Sequence, residues 1–164
     1  ALVRLEDGTY EPLPPAEVIE QLNLLVLEEM DTEHYFTLLL ADVDLETGQV
    51  RMAQAGHPHP LIQREDGSVE QNGPGGLPVG LIAFATYQEF EAQLHPGDRL
   101  LIFSDGIIEC PNPEGDLLDE EGIAAIMTDL KATRSTALLE AIMWRLSEYN
   151  GCDEFPDDVS AVFF

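Results

Sequence analysis

The sequence predicts an α+β fold, and three observations carry that expectation. Strand patterns follow one another in hairpin-like succession, two helical patterns are grouped late in the chain, and 45% of the 164 residues are hydrophobic, enough for one core. A wound parallel sheet would instead alternate strands with helices throughout.

Pro14 and Pro15 open the first helical pattern. Proline suits a first helical turn because it has no N–H to lose there. Val18, Ile19, Leu22, Leu25 and Val26 then fall on one helical face. Residues 35–43 read as a buried strand, Glu46-Thr47-Gly48 turns the chain, and residues 49–55 return as its hairpin partner. After Gly56-His57-Pro58-His59-Pro60, residues 61–64 and 68–71 form a shorter hairpin across Glu65-Asp66-Gly67. A glycine-rich loop over residues 72–80 reads as a mobile segment. Residues 87–94 alternate, with Phe90, Ala92 and Leu94 on one side, and the turn His95-Pro96-Gly97-Asp98 leads into the apolar run 99–104. Asp119 is placed to cap a helix whose inner stripe is Ile123, Ile126, Met127 and Leu130. Ser135 or Thr136 is placed to cap the next, with Leu138, Leu139, Ile142, Met143, Leu146 and Tyr149 inward. Residues 157–164 close the chain as a strand.

Charge is the strongest compositional signal: 32 acidic residues against 7 basic give a formal −25. Such a surface repels nucleic-acid phosphates and anionic lipid, so neither is expected as a partner. The acidity fits a well-solvated surface, and it also fits carboxylates that hold divalent cations. No apolar run reaches the ~18–20 residues that cross a bilayer, and no basic-then-apolar leader opens the sequence. Cys110 and Cys152 form no CxxC pair, which suits a reducing cytosol.

Two acidic positions stand at strand ends. Ser104-Asp105-Gly106 lies where one apolar strand stops, and Asp157-Asp158 where the last begins. If these strands are antiparallel neighbours, Asp105 and Asp157 share a sheet edge about 5 Å apart. Carboxylates that close repel unless a proton or cation lies between them, and oxygen-only donors favour Mg2+ or Mn2+. A water shared by two such ions attacks phosphorus near neutral pH. The plainer alternative is an Asp-Gly turn and a strand-capping aspartate.

Beyond these positions, the chain from Tyr35 onward resembles the SpoIIE/RsbU branch of the PP2C phosphatases. The resemblance rests on landmarks in order: Phe36-Thr37-Leu38-Leu39 leading to Asp44-Leu45-Glu46-Thr47-Gly48, then Ala55-Gly56-His57-Pro58-His59-Pro60 and Gly76-Leu77-Pro78-Val79-Gly80. Pro96-Gly97-Asp98-Arg99-Leu100, Phe103-Ser104-Asp105-Gly106-Ile107-Ile108-Glu109 and Asp157-Asp158-Val159-Ser160 complete the series, and Pro15-Ala16-Glu17-Val18-Ile19 with Leu22-Asn23 is similar to the preceding helix. The resemblance implies a two-sheet antiparallel β-sandwich flanked by helices, with a dinuclear Mn2+ or Mg2+ site at one end. It implies metal ligation by Asp105 and Asp157, no catalytic side chain beyond the ligands, and Asp158 as a neighbour of the site. The family's bridging aspartate, in a Gly-Asp-Val-x-Gly-His-Gly type segment, has no counterpart here. Either the N-terminal part of the domain is missing from this sequence, or the protein is a relative that binds without hydrolysing. The intact later landmarks favour the first, with Ala1-Leu2-Val3-Arg4-Leu5 as the tail of the helix after the missing segment.

Other features yield less. His57 and His59 form an H-x-H pattern that suits a metal, but the flanking prolines and glycine suit a stiff loop, with His57 near a substrate phosphate. The run 42–48 departs from a calcium loop, because its glycine falls one place late and strands flank it. Gly73, Gly75 and Gly76 lack the Lys-Ser/Thr of a P-loop. Cys110 has no basic neighbour to make it a thiolate, and Trp144 lies off the inner stripe.

Residues 1–164 are therefore expected to be one phosphatase domain, the C-terminal part of a larger cytoplasmic signalling protein. The family resemblance implies a phosphorylated anti-sigma-factor antagonist as substrate and a receiver or sensor domain on the N-terminal side. The rival expectation is a catalytically inactive adaptor of the same fold.

Overall fold

The structure, a computed structural model, describes residues 2–4, 8, 10–29, 34–133 and 137–164. They fall into two units, Ala1–His57 with Gly73–Gln93 and Pro58–Asn72 with Leu94–Phe164.

The first unit opens on a ribbon of β1 (Leu2–Arg4) and β2 (Tyr10–Pro12), paired antiparallel with Leu2 opposite Pro12. Leu2 to Arg4 are thus extended, correcting the expected helix tail. Pairing with Tyr10–Pro12 satisfies their backbone groups as a strand, which a helix would forgo. Helix α1 (Pro15–Glu29) starts at the expected proline, and its first bond runs from the Val18 N–H to the Pro14 carbonyl at 3.1 Å. Its buried stripe is Ile19, Asn23 and Val26, while Leu25 is 49% exposed, contrary to expectation. Asn23 can replace an apolar residue inside because its amide is satisfied: Nδ2 donates to the Ile82 carbonyl at 2.9 Å and Oδ1 accepts the Gly80 N–H at 2.8 Å.

Strands β3 (Leu38–Val43), β4 (Gln49–Ala55) and β7 (Glu89–Gln93) form an antiparallel sheet in the order β3-β4-β7. Asp44 fixes the β3–β4 turn by accepting the Glu46 and Thr47 N–H groups at 2.8 and 3.2 Å. β3 is shorter than expected and half-buried along its length; Phe36, ahead of it, pairs only with Val79. Ile19, Val26, Ala53, Ala55, Val79 and Tyr87 make this unit's core.

The second unit carries a four-stranded antiparallel sheet of β5 (Leu61–Gln63), β6 (Val69–Gln71), β8 (Arg99–Phe103) and β9 (Ala161–Phe163), in the order β6-β5-β8-β9. β9 begins at Ala161, four residues later than the sequence pattern suggests. Leu61, Leu101 and Phe103 alternate onto one face and join a core with Ile123 and Met127 of α3 (Asp119–Asp129) and Leu138, Ile142 and Leu146 of α4 (Ala137–Asn150). Each such burial is worth about 1.5–3 kcal/mol. Met143, expected inward, is 38% exposed, and Trp144 is exposed as its off-stripe position predicts. Asp119 makes the capping bond to the Gly122 N–H at 2.9 Å, though from inside the helix and at φ 58°. The alternative caps Ser135 and Thr136 lie outside the described residues. Among the described residues no helix is long and apolar enough to cross a membrane.

Candidate active site

The four-stranded sheet gathers several chain segments at one end. β8 runs toward it and stops at Phe103, paired with Ala161 at the start of antiparallel β9. Leu61, at the start of β5, pairs with both Leu101 and Gln71. The segments just outside these strands therefore emerge together: Ser104-Asp105 after β8, Asp157 to Ser160 before β9, His59-Pro60 before β5, and Gln71 closing β6.

Between β8 and β9 the contact is intimate. The Ser104 N–H donates to the Ser160 carbonyl at 2.9 Å, and the Ser104 hydroxyl donates to the Asp158 carbonyl and accepts the Ser160 N–H, each at 2.9 Å. Asp105 begins α2 (Asp105–Ile108), a single helical turn that the sequence pattern did not reveal. Gly106, buried in that turn, lies so close to the neighbouring segment that a Cβ there would stand 2.5 Å from the Asp158 carbonyl oxygen and 3.5 Å from the Asp157 carbonyl carbon. The two segments bearing the sequence-predicted carboxylates thus abut, with Asp105 half-buried and Asp157 exposed. Asp157 turns one carboxylate oxygen onto the Asp158 N–H at 2.7 Å. Among the described residues no trio of His, Cys, Asp or Glu side chains is gathered to hold a metal by itself.

A second polar group occupies the β5–β6 side of the same end. The His59 Nδ1 lies 2.8 Å from Glu120 Oε1, which also accepts the His59 N–H at 3.2 Å. Gln71 Nε2 donates to the other Glu120 oxygen. Burial works against the charged form of Glu120, but the His59 ring and amide together with Gln71 hold its carboxyl below the usual range. The stiff-loop reading of Gly56 to Pro60 suits this bonded His59. The partner Glu120 was not legible, because 61 residues separate the pair and no local pattern links them.

The glycine-rich loop, expected to be mobile, is fastened in the first unit. The Gly75 N–H donates to Gln54 Oε1 at 3.1 Å, and a Cβ on Gly76 would meet the Gln54 carbonyl oxygen at 2.4 Å. Close approach to β4 accounts for glycine there. Burial, with the Cys152 thiol adding to it, pushes the Cys110 thiol up, away from nucleophile chemistry.

This architecture is that of the PP2C phosphatase domains. It superposes on the phosphatase domain of the cell fate determinant SpoIIE from Bacillus subtilis with TM-score 0.70 and 20% identity, covering 100% of this chain and 82% of that one. The SiaA-PP2C domain of Pseudomonas aeruginosa gives TM-score 0.79 at 21% identity over 92% of this chain and 60% of that one. The chain belongs to the Stage II sporulation protein E (SpoIIE) family, whose pattern matches residues 5–164. Phosphoserine phosphatase RsbU of Bacillus subtilis is 30% identical over 104 residues, which are 63% of this chain and 31% of RsbU, so the match spans about a third of that relative.

Proposed function

We propose that this chain is the phosphatase portion of a cytoplasmic signalling protein that hydrolyses phosphoserine or phosphothreonine on a regulatory protein resembling an anti-sigma-factor antagonist, under the control of a receiver or sensor domain. The observation that carries the reading is the abutment of residues 104–106 with residues 157–160, which brings two aspartate-bearing segments to one sheet end. Two carboxylates fit Mg2+ or Mn2+, which is often held by one or two carboxylates and keeps several waters. The SpoIIE phosphatase-domain structure was presoaked with Mn, which supports a divalent ion as the cofactor proposed here. Asp105 and Asp157 would hold the ion, and a bound ion makes its water nucleophilic toward phosphorus near neutral pH. Ser104 and Gly106 serve by fixing the spacing: the hydroxyl ties the Asp158 and Ser160 backbones, and the missing side chain lets the segments close.

The test is phosphate release by the full-length protein from a phosphoserine substrate with Mn2+. Release is expected, and it should vanish with EDTA or with Asp105→Asn. Activity that survives both treatments defeats the proposal. A well-folded protein that binds the phosphoprotein without turnover would be the adaptor instead.

A further inference from the structure

The His59–Glu120–Gln71 group has no part in the chemistry above, yet the sheet delivers it to the same end. Leu61 pairs with Leu101 in antiparallel register. Two residues further along that register, His59 stands level with Phe103, the last residue of β8. One strand spacing thus separates the His59 backbone from the Ser104-Asp105 segment, and two, about 10 Å, separate it from the segment before β9. Side chains from both directions can meet on one phosphoryl group across that gap. His59 shares the face of Leu61, the face on which α3 packs, and there it meets Glu120 of the first turn of α3.

The chemistry of this group is specific. A carboxylate on Nδ1 fixes the ring orientation and leaves Nε2 as the nitrogen that can face a substrate. Gln71 on the second carboxylate oxygen keeps Glu120 from turning away. Hydrolysis of a seryl or threonyl phosphate needs a proton donor, because an alkoxide is a poor leaving group.

We propose that His59, oriented by Glu120, protonates the seryl or threonyl oxygen as it leaves phosphorus. The proposal rests on the phosphatase reading above. Water forms the new P–O bond; the P–O bond to the side-chain oxygen breaks with its electron pair on that oxygen, which takes the proton from His59 Nε2. The proton lost by the attacking water passes to solvent, and the ring regains one from solvent. His59 is then a catalytic residue, and Glu120 a positioning residue that acts through it.

Two substrates in the full-length protein test this. One is a phosphoserine peptide, whose leaving oxygen needs a proton; the other is p-nitrophenyl phosphate, whose leaving group does not. His59→Asn keeps a donor toward Glu120 but has no proton to give. It should lower kcat on the peptide by roughly 10²–10⁴-fold while p-nitrophenyl phosphate turnover stays near wild type and the melting temperature is unchanged. Glu120→Gln should show the same selectivity to a smaller degree. Equal losses on both substrates, or no loss on either, overturn the proposal while leaving the phosphatase reading intact. A wild type inactive on both substrates sinks the phosphatase reading, and a second arm still decides on His59. With Mg2+ present, inorganic phosphate should shift the NMR signals of the His59 ring in wild type and shift them less in Glu120→Gln; unmoved signals count against it.

Discussion

A methyl group on Gly106 would press on the Asp158 carbonyl oxygen at 2.5 Å, and backbone cannot swing aside as a flexible side chain can. Gly106→Ala should therefore displace the segment carrying Asp157. Thermal unfolding should show a loss of about 1–3 kcal/mol, and Mn2+-supported phosphatase activity should fall much further than stability does. A variant that keeps full activity would mean that this spacing is unimportant to the site. That the segments bearing Asp105 and Asp157 lie at one sheet end was legible from the sequence, because each flanks an apolar run and strand ends are easy to recognise. What holds those segments together was not. The Ser104 hydroxyl bridging two backbone groups 54 and 56 residues away leaves no periodic trace.

At the scale of elements, hydrophobic period decided most of what could be read. It located β4, β5, β8 and the inner stripes of α3 and α4, but it misplaced Leu25 and Met143, since it cannot tell which flank of a helix a loop will cover. It was also blind to the polar network that ties the turn before β8 to the β5–β6 hairpin. Asp98, whose side chain is 4% exposed, binds Arg64 Nη1 at 2.8 Å and accepts the His95 and Glu65 N–H groups, each at 3.0 Å. Arg64 also grips Glu70 through two bonds of 3.1 and 2.7 Å. Burial alone would raise the Asp98 carboxyl, yet the His95 amide, Arg64 and the Glu65 amide hold it below its usual range. A depressed carboxyl contributes stability that is present above its unfolded value near ~3.9 and lost as pH falls through the lower folded value. Asp98→Asn should cost about 2–3 kcal/mol at pH 7, because the Arg64 guanidinium and the His95 and Glu65 amides lose a charged acceptor. The gap between variant and wild type should narrow below about pH 4, as the wild-type carboxyl takes up its own proton. Urea melts at both pH values measure this, and a gap constant with pH would rule out the ionic origin.

On the scale of the whole chain, the net charge of −25 was plain from composition, and the structure shows how little of the surface counters it. Arg51, Arg64 and Arg145 are each spent on neighbouring carboxylates. The resulting field draws small cations toward any cluster of carboxylates. Fold class was legible at this scale because helices and strands segregate along the chain. The division into two units was not, because residues 58–72 interrupt the first unit in sequence without any change of composition.

β9 is the outermost strand of its sheet and pairs with β8 from Leu101–Phe163 to Phe103–Ala161, extended by one bonded residue at each end, Leu100–Phe164 and Ser104–Ser160. So short a margin can peel away while the rest of the unit stays folded, and the stretch from Gly151 to Asp158 that leads into it is largely exposed. An added protease should therefore nick the chain between α4 and β9 well before it digests the helices. On the proposed function, Mn2+ would staple Asp157 to Asp105 and shut that opening. At an ion concentration about a hundred times its Kd, cleavage should slow roughly a hundredfold, and Asp105→Asn should abolish the protection. The segment from Gly151 to Phe163 would then act as a latch whose closure reports metal loading.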